Sequence, residues 1–188
     1  MDKKQARAEI KRRLRAMTPE ERARKSRAIC ERVMQLPEFR SANAVMLFAS
    51  MPDEVDTCPL FEKSFADGKR VAAPKCATED RRILPILVRD MADLVPGAYG
   101  IREPVGGETL AVEQIDFVLV PGYGFDHAGN RLGKGAGYYD KFMSQPGFRA
   151  TRCAVTFAAQ ILDYVPHDDR DIPVHILVTE DEVLRFRL

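Results

Sequence analysis

Two amphipathic helices are predicted at the start of the chain. Apolar residues recur there at helical spacing and form one stripe, made up of Ala6, Ile10, Leu14 and Met17. This spacing predicts a helix over residues 3–17. The segment Thr18-Pro19-Glu20-Glu21 then offers an N-cap hydroxyl, a proline suited to the first helical position and a glutamate for a capping box. A second helix is therefore expected to begin there and to run to about Leu36.

Beyond these helices, short apolar runs of strand length alternate with helical segments. Strands are predicted at residues 44–49, 71–73, 83–88, 115–120, 152–157 and 174–179. Helices are predicted at residues 58–66, ended by Gly68, and at residues 138–143. The alternation shows neither an internal repeat nor a linker. It predicts one α/β domain over residues 1–188, with a largely parallel sheet flanked by helices and the basic N-terminal helices (1–36) packed on its core.

Two segments depart from this alternation. Pro85 interrupts the run at 83–88, and because proline cannot donate to a ladder, that strand is expected at an edge of the sheet. Residues 89–114 are rich in proline, glycine and charge, with turns predicted at Pro96-Gly97 and Gly106-Gly107. We expect a long ordered excursion that is too short to form a domain.

Composition places the chain among folded proteins. Of its 188 residues, 45% are apolar and 30% are charged, which excludes the collagen-like, mucin-like and wholly disordered classes. No apolar run approaches the roughly 18 residues that span a bilayer. The polar start of the chain also lacks the apolar segment of a secretory signal. We therefore expect a cytoplasmic protein that makes no membrane contact.

The four cysteines and three histidines show no metal-site spacing. The cysteines form no C-x-x-C pair, so we expect reduced thiols, and the histidines form no H-E-x-x-H motif. Any metal should therefore be held by oxygen ligands.

Positive charge is concentrated at the N-terminus. The first 32 residues carry 12 Lys or Arg against 5 Asp or Glu, whereas the remainder carries 17 against 23. One hypothesis is a nucleic-acid-binding module, but the acidic remainder and the lack of aromatic residues among the basic ones oppose it. Lys3 and Arg7 are spaced i, i+4 and could grip one polyphosphate together; a solvated basic face is the alternative.

Six of the 12 glycines lie in residues 122–137, between a predicted strand and a predicted helix. Bare backbone amides in such a loop can converge on an anion, so the segment predicts a phosphate cradle. It is not a Walker A loop, because Ala128 and Gly135 stand where that motif needs Gly and Ser or Thr. Nor is it the G-x-G-x-x-G fingerprint, because Tyr138 replaces the last glycine. The alternative is a tight turn in which Arg131 and Lys134 are merely solvated.

The run from Pro121 through Asp140 resembles the signature of the 5-formyltetrahydrofolate cyclo-ligase family, which reads P-G-x-x-F-D-x-x-G-x-R-L-G-x-G-x-G-Y-Y-D. Residues 3–7, 48–54 and 171–180 also resemble the family in order, as does the turn Gly100-Ile101-Arg102-Glu103-Pro104. The resemblance implies a fold of the sugar-phosphate isomerase or CoA-transferase type. Another phosphosugar or coenzyme A enzyme is a third hypothesis, since fold alone does not determine chemistry.

The resemblance implies ATP-dependent conversion of 5-formyltetrahydrofolate, with or without a polyglutamate tail, to 5,10-methenyltetrahydrofolate. A formamide oxygen leaves poorly, so ATP would phosphorylate it before N10 attacks the formyl carbon, and ADP and phosphate would be released. Mg²⁺ would lie between phosphate oxygens. We expect a monomer whose partners are ATP and the folate, without nucleic acid or membrane.

The resemblance also implies roles for residues on the nucleotide side. Arg131 and Lys134 would be catalytic. ATP would be bound by Lys3, Arg7, Arg131, Leu132, Gly133, Lys134, Gly135, Ala136, Gly137, Tyr138 and Tyr139. Asp140 and Asp171 would hold magnesium through carboxylate oxygens. The alternative for Asp140 is an acid favoured near the start of a helix.

The folate would be bound by Ala49, Met51, Glu54, Tyr123, Lys134 and Tyr138. The Glu54 carboxylate suits the paired N–H donors of a pterin; its alternative is loop solubility. Met51, Tyr123 and Tyr138 could line a slot for the flat ring or belong to the ordinary core. Ala49 stands where some family members place a larger apolar residue, which bears on the shape of the pterin pocket.

Overall fold

The computed structural model describes residues 2–97 and 100–187. Its helices are α1 (Lys3–Arg15), α2 (Pro19–Gln35), α3 (Pro37–Ser41), α4 (Cys58–Ala66) and α5 (Tyr138–Met143). Its strands are β1 (Ala44–Met46), β2 (Arg70–Ala77), β3 (Arg82–Val88), β4 (Leu94–Pro96), β5 (Arg102–Pro104), β6 (Phe117–Val120), β7 (Gly124–Asp126), β8 (Arg131–Leu132), β9 (Thr151–Val155), β10 (Ile161–Leu162), β11 (Ile176–Val178) and β12 (Val183–Arg185).

The N-terminal helices begin at side-chain caps. Asp2 accepts hydrogen bonds from the first-turn amides of α1. Thr18 and Glu21 form the predicted reciprocal capping box at the start of α2, with Pro19 at its first position. The predicted end of α1 at Met17 is two residues too late, because the α2 cap needs extended backbone at Thr18.

Seven strands form the main sheet in the order β12-β11-β9-β6-β1-β2-β3. The five inner strands are parallel to one another, and the two edge strands are antiparallel to their neighbours. Pro85 lies in edge strand β3, as its missing donor predicts. The predicted α/β fold with a largely parallel sheet is confirmed.

Helices cover both faces of this sheet. Side chains alternate along each strand, so Val45 and Leu47 join the core beneath α1 to α4, whereas Ala44 and Met46 join the core beneath α5. All four residues of β6 are buried, as expected for a central strand covered on both sides. The N-terminal helices thus supply one of the two layers that seal the sheet.

The strand order reverses between β1 and β6. From β1 the chain proceeds to β2 on one side, and from β6 it proceeds to β9 and β11 on the other. The loops that leave the carboxyl ends of β1 and β6 therefore diverge and leave a crevice between them. In open parallel sheets such a crevice is the usual place for a ligand.

Two strands of a second, three-stranded sheet, β10-β7-β8, lie in the glycine-rich segment, namely β7 and β8. The sequence predicted one continuous loop there, which is wrong for residues 124–126 and 131–132. Helix α1 packs across this sheet so closely that a Cβ on Gly124 would lie 2.2 Å from Cδ1 of Ile10. Two of the glycines therefore serve packing, since a Cβ on Gly122 would also lie 2.3 Å from the Phe125 ring.

The predicted excursion at 89–114 is ordered where it is described. It contains the antiparallel pair β4 and β5 and two turns of 3-10 helix, at Met91–Asp93 and Val112–Gln114. None of the helices in residues 2–97 and 100–187 combines the length and the apolar character needed to cross a lipid bilayer.

All four cysteines carry free thiols, as predicted. Burial raises the pKa of the Cys30 thiol to about 12 and those of Cys58 and Cys76 to about 11. Burial also raises the pKa of the Cys153 thiol. The thiols are therefore protonated at neutral pH and are poor nucleophiles.

Candidate active site

The loop after β1 is a compact turn held by its own side chains. Ser50 and Thr57 exchange hydrogen bonds across its base, each hydroxyl accepting from the other residue's backbone amide at 3.2 Å. The Thr57 hydroxyl also donates to the Phe48 carbonyl at 2.7 Å. Within the turn, Oε2 of Glu54 accepts from the Met51 amide at 2.8 Å. The turn thus fixes the Glu54 carboxylate at the carboxyl edge of the sheet.

Lys134 connects this turn to the glycine loop of residues 133–137. Its Nζ lies 2.7 Å from Oε1 of Glu54 and 3.3 Å from Sδ of Met51. The Glu54 side chain is only 17% exposed, whereas that of Lys134 is 47% exposed. Three residues predicted to bind the folate therefore meet at the crevice, although 80 positions separate Lys134 from Glu54.

Arg131 is buried, contrary to the alternative of a solvated side chain. Its guanidinium donates to Oδ1 of Asp140 at 2.7 Å and to the Pro121 carbonyl at 3.3 Å, and its side chain is 6% exposed. Strand β8 positions Arg131, and the first turn of α5 positions Asp140. The pair holds the Arg131 guanidinium in a fixed position next to the glycine loop.

Asp140 contacts the segment that carries Asp171. Oδ1 of Asp140 also accepts from the backbone amide of Ile172, the residue that follows Asp171, at 3.0 Å. Oδ2 of Asp171 accepts from Lys3 Nζ at 2.7 Å and from the Asp168 amide at 2.8 Å. Within the described residues, each carboxylate retains one oxygen that accepts no hydrogen bond.

The unused oxygen of each carboxylate is the type of ligand that a magnesium ion prefers when it also takes phosphate oxygens. Hard cations prefer oxygen ligands, and Mg²⁺ bound with a nucleotide commonly uses one or two carboxylates rather than a complete protein cage. In residues 2–97 and 100–187, no group of three or more His, Cys, Asp or Glu side chains is gathered for a metal. An ion at Asp140 and Asp171 would therefore depend on ATP for its other ligands.

Arg7 ties α1 to the glycine loop. Its Nε and Nη2 donate to the Gly133 carbonyl at 3.1 and 2.9 Å. Lys3, one turn earlier, reaches the Asp171 carboxylate described above. Lys3 and Arg7 thus contact different segments, Lys3 the Asp171 carboxylate and Arg7 the glycine loop, and their joint grip on a polyphosphate remains a prediction.

The glycine loop is an exposed rim with unusual backbone angles. Gly135 has φ +106° and Gly137 has φ +72°, and residues 134–137 are all exposed. Gly137 is the N-cap of α5, which is only six residues long. Because so short a helix has a weak dipole, most of the positive charge at this rim comes from the Arg7, Arg131 and Lys134 side chains.

Tyr139 carries a buried hydroxyl without a hydrogen-bond partner among the described residues. Burial raises the pKa of this phenol, the Cys76 thiol and the Glu54 carboxylate raise it further, and the Arg131 cation opposes them. An unpaired buried hydroxyl is costly, and this one is oriented among site residues.

The remaining predicted residues differ in how far they reach the crevice. Tyr123 and Tyr138 are partly buried and pack against the two core clusters. Ala49 is 6% exposed, and Leu132 is 1% exposed with its carbonyl accepting from the Tyr123 amide. Leu132 therefore braces the hairpin, and its side chain is not available to ATP.

Gln160 lies beside predicted site residues and was not itself among the residues predicted from the sequence. It is 5% exposed, and its Nε2 donates to the Tyr123 carbonyl at 3.0 Å. It lines a small cavity at the floor of the crevice together with Phe48, Glu54, Val55, Gly122 and Val155. Gln160 follows the predicted strand at 152–157. Because parallel strands bring their carboxyl ends to one edge of the sheet, this position could have indicated that Gln160 lies near the crevice.

Comparison with known proteins identifies the family of this chain. Residues 1–180 match the model of the 5-formyltetrahydrofolate cyclo-ligase family. The chain is 31% identical over 190 residues to 5-formyltetrahydrofolate cyclo-ligase of Mus musculus, covering 95% of this chain and 94% of the relative. It is 29% identical over 178 residues to the enzyme of the same name from Escherichia coli strain K12, covering 93% and 98%.

A solved structure has the same fold. The NMR structure of 5,10-methenyltetrahydrofolate synthetase from Aquifex aeolicus superposes with a TM-score of 0.86 at 37% identity, covering 100% of this chain and 94% of that one. Since the family model, the full-length relatives and the fold agree, the chain belongs to the 5-formyltetrahydrofolate cyclo-ligase family.

Proposed function

We propose that this protein closes the ring of 5-formyltetrahydrofolate to 5,10-methenyltetrahydrofolate at the expense of ATP. The contact of Lys134 with Glu54 is the observation that carries the proposal. It joins the cationic glycine loop, suited to phosphates, to a fixed carboxylate suited to the pterin. Both substrates can then lie in one crevice with their reacting atoms adjacent, which is what phosphoryl transfer between them requires.

The chemistry needs positioning and charge neutralisation rather than a protein nucleophile. The formyl oxygen attacks the γ-phosphorus and ADP leaves. N10 then attacks the formyl carbon and loses its proton, and the C–O bond breaks as the oxygen departs with inorganic phosphate, which can accept that proton. Negative charge accumulates on the transferring phosphoryl group, so fixed cations around it supply most of the stabilisation.

Arg131 is the cation best suited to that role. Its contacts with Asp140 and Pro121 hold it in place before substrate binds, and a preorganised charge needs no rearrangement during the reaction. Lys3 and Arg7 would bind the outer phosphates. The backbone amides of residues 133–137 would donate hydrogen bonds to the same phosphate chain. Magnesium bound to Asp140, Asp171 and phosphate oxygens would neutralise further charge.

Glu54 would recognise the pterin. A carboxylate accepts two hydrogen bonds in one plane, which matches the adjacent amino and ring N–H donors of a pterin. In the structure Lys134 occupies Oε1 of Glu54. Pterin binding would release that lysine toward the formyl oxygen and the γ-phosphate. Lys134 would thereby contact both substrates, which agrees with its predicted place among both the ATP-binding and the folate-binding residues.

Omitting ATP should abolish product formation. The absorbance of the methenyl product reports turnover directly, and the measurement uses the full chain freed of bound nucleotide. Removal of Mg²⁺ with a chelator should also stop the reaction. Two carboxylates, Asp140 and Asp171, would bind the ion too weakly to keep it from the chelator. Product formation at an undiminished rate without ATP would contradict the phosphorylation mechanism.

Replacing Tyr139 by phenylalanine should weaken substrate binding without destabilising the ligand-free protein. The hydroxyl lacks a partner there, so its removal takes away a desolvation cost and no hydrogen bond. We expect an unchanged or higher Tm and a KM raised roughly three- to tenfold for the substrate that the hydroxyl contacts. Tyr164→Phe, at an exposed tyrosine, is the control. A lower Tm with unchanged KM values would instead assign the hydroxyl to structure.

A further inference from the structure

The turn between β11 and β12 buries one carboxylate, that of Glu180. The Thr179 hydroxyl accepts from the amides of Asp181 and Glu182 at 3.2 and 3.0 Å and so fixes the turn. The Glu180 side chain is only 9% exposed, whereas Asp181 and Glu182 beside it are exposed. Glu180 has no part in the chemistry proposed above, although it lies in one of the segments that resemble the family.

Two segments meet at the Glu180 carboxylate. Its Oε1 accepts from Lys25 Nζ of α2 at 2.8 Å, and its Oε2 accepts from the Ala158 amide at 2.9 Å. Arg32, also in α2, donates to the Glu180 carbonyl from Nη2 and Nε at 3.1 and 3.2 Å. Burial opposes ionisation, but the bonds from Lys25 and Ala158 outweigh it and hold the pKa of Glu180 below its usual value. The carboxylate is therefore charged at neutral pH.

Ala158 begins a turn of 3-10 helix, Ala158–Gln160, that leads from β9 to β10. Amides at the start of a helical turn have no acceptor within it. Glu180 supplies the acceptor for the Ala158 amide, and Oε1 of Gln160 accepts from the Phe157 amide at 3.1 Å. These two bonds fix the turn and the direction of the Gln160 side chain.

The Gln160 side chain reaches the folate side of the crevice. Its Nε2 donates to the carbonyl of Tyr123, a predicted folate-binding residue. The same side chain lines the small cavity beside Glu54, the carboxylate assigned to the pterin. Gln160 thus joins the loops after β6 and β9 and borders the loop after β1.

We propose that Glu180 is a positioning residue for folate binding, because its bond to the Ala158 amide holds Gln160 against the Tyr123 carbonyl and beside Glu54. The inference rests on the proposed function, which assigns Glu54 to the pterin. Glu180 acts through the turn and does not touch substrate. Its removal should therefore change the folate KM and leave the ATP KM, since the glycine loop is held by Arg7 instead.

The variant Glu180→Ala tests the proposal by steady-state kinetics. We expect the folate KM to rise about fivefold, the scale of one lost hydrogen bond, with the ATP KM and kcat within about twofold of the parent. Glu182→Ala makes the same substitution at an exposed side chain of the same turn and should leave all three values unchanged. An equal rise of the folate KM in this control would overturn the proposal.

Glu180→Gln separates positioning from stability. Its amide oxygen can still accept from Ala158, while Lys25, whose side chain is 23% exposed, turns to solvent. The folate KM should therefore return to the parent value, although the lost ion pair keeps Tm lowered. A folate KM that stayed as high as in Glu180→Ala would assign the carboxylate to stability alone.

A double variant tests whether Glu180 acts through Gln160. Gln160→Ala should raise the folate KM at least as much as Glu180→Ala does. Adding Glu180→Ala to it should raise the folate KM no further, because the two residues belong to one chain of contacts. Two effects that multiplied would show that Glu180 acts by another route and would refute the proposal.

Amide hydrogen exchange of the ligand-free protein separates this proposal from the proposed function. The Phe157 amide reports the position of Gln160 and should exchange about fivefold faster or more in Glu180→Ala, with no change in Glu182→Ala. Glu180→Leu, which fills the space without accepting a bond, gives the same test if the alanine variant is unstable. Unchanged Phe157 exchange would refute the role of Glu180 even in a fully active enzyme. Turnover of 5-formyltetrahydrofolate by the parent tests the ring closure alone.

Discussion

Replacing Arg131 by alanine should reduce kcat by about 10²-fold or more, the scale observed when one preorganised donor to a developing charge is removed. The guanidinium is held by Asp140 and the Pro121 carbonyl next to the glycine loop. Its charge is thus in position before the phosphoryl group moves. Arg131→Lys should recover little, since an ammonium cannot reproduce two fixed directions of donation. Steady-state kinetics with saturating ATP and folate provide the measurement.

The same substitution also destabilises the protein, and the two effects must be separated. Breaking a buried ion pair leaves Asp140 uncompensated, at a cost of about 3–5 kcal/mol. Adding Asp140→Asn removes that stranded charge and should restore much of the lost Tm without restoring turnover. Kinetics at a temperature well below unfolding then report chemistry alone. If the Arg131→Ala variant kept a normal kcat and had a lowered Tm, Arg131 would have a structural role only.

Gly135→Ala should weaken ATP binding roughly tenfold or more, because a methyl group would enter the space where the backbone approaches the phosphates. An added Cβ has room in the ligand-free protein, with the nearest atom, Arg7 Nη2, at 3.6 Å. The backbone angle of φ +106° nevertheless costs alanine about 1 kcal/mol or more. Nucleotide affinity measured by calorimetry on the folded variant is the decisive quantity.

Gly68→Ala is the matched control for that variant. Gly68 also has positive φ, +70°, with nothing within 4 Å of an added Cβ. It precedes β2 and so lies toward the amino edge of the sheet, opposite the crevice. It should lose stability and keep ATP affinity. If Gly135→Ala bound ATP as tightly as the Gly68→Ala control, the glycine loop would not be the phosphate cradle.

Local patterns predicted the regular elements well because each signal lies within a few residues. The reciprocal cap of Thr18 and Glu21 starts α2 as predicted, and Gly68 ends α4. The bounds of α5 were predicted without error. The buried run at β6 and the edge position of β3 also follow from hydrophobicity and from Pro85.

Strand lengths were not predictable from apolar runs, because pairing partners decide where a strand ends. The run at 44–49 pairs only through Met46, after which the chain turns into the crevice. Strand β2 continues to Ala77 because β3 returns beside it as a hairpin. The two- and three-residue strands β7, β8 and β10 carry too few residues for any period to be detected.

The sequence by itself determined the α/β class, the family and the set of residues that bear chemistry, since motif and spacing are properties of short segments. Only the tertiary structure decided which of those residues meet. Arg131 in β8 meets Asp140 in α5, and Lys134 in the segment after β8 meets Glu54 in the loop after β1. The distances between these side chains and their burial come from packing between distant segments of the chain, and no local sequence pattern encodes that packing.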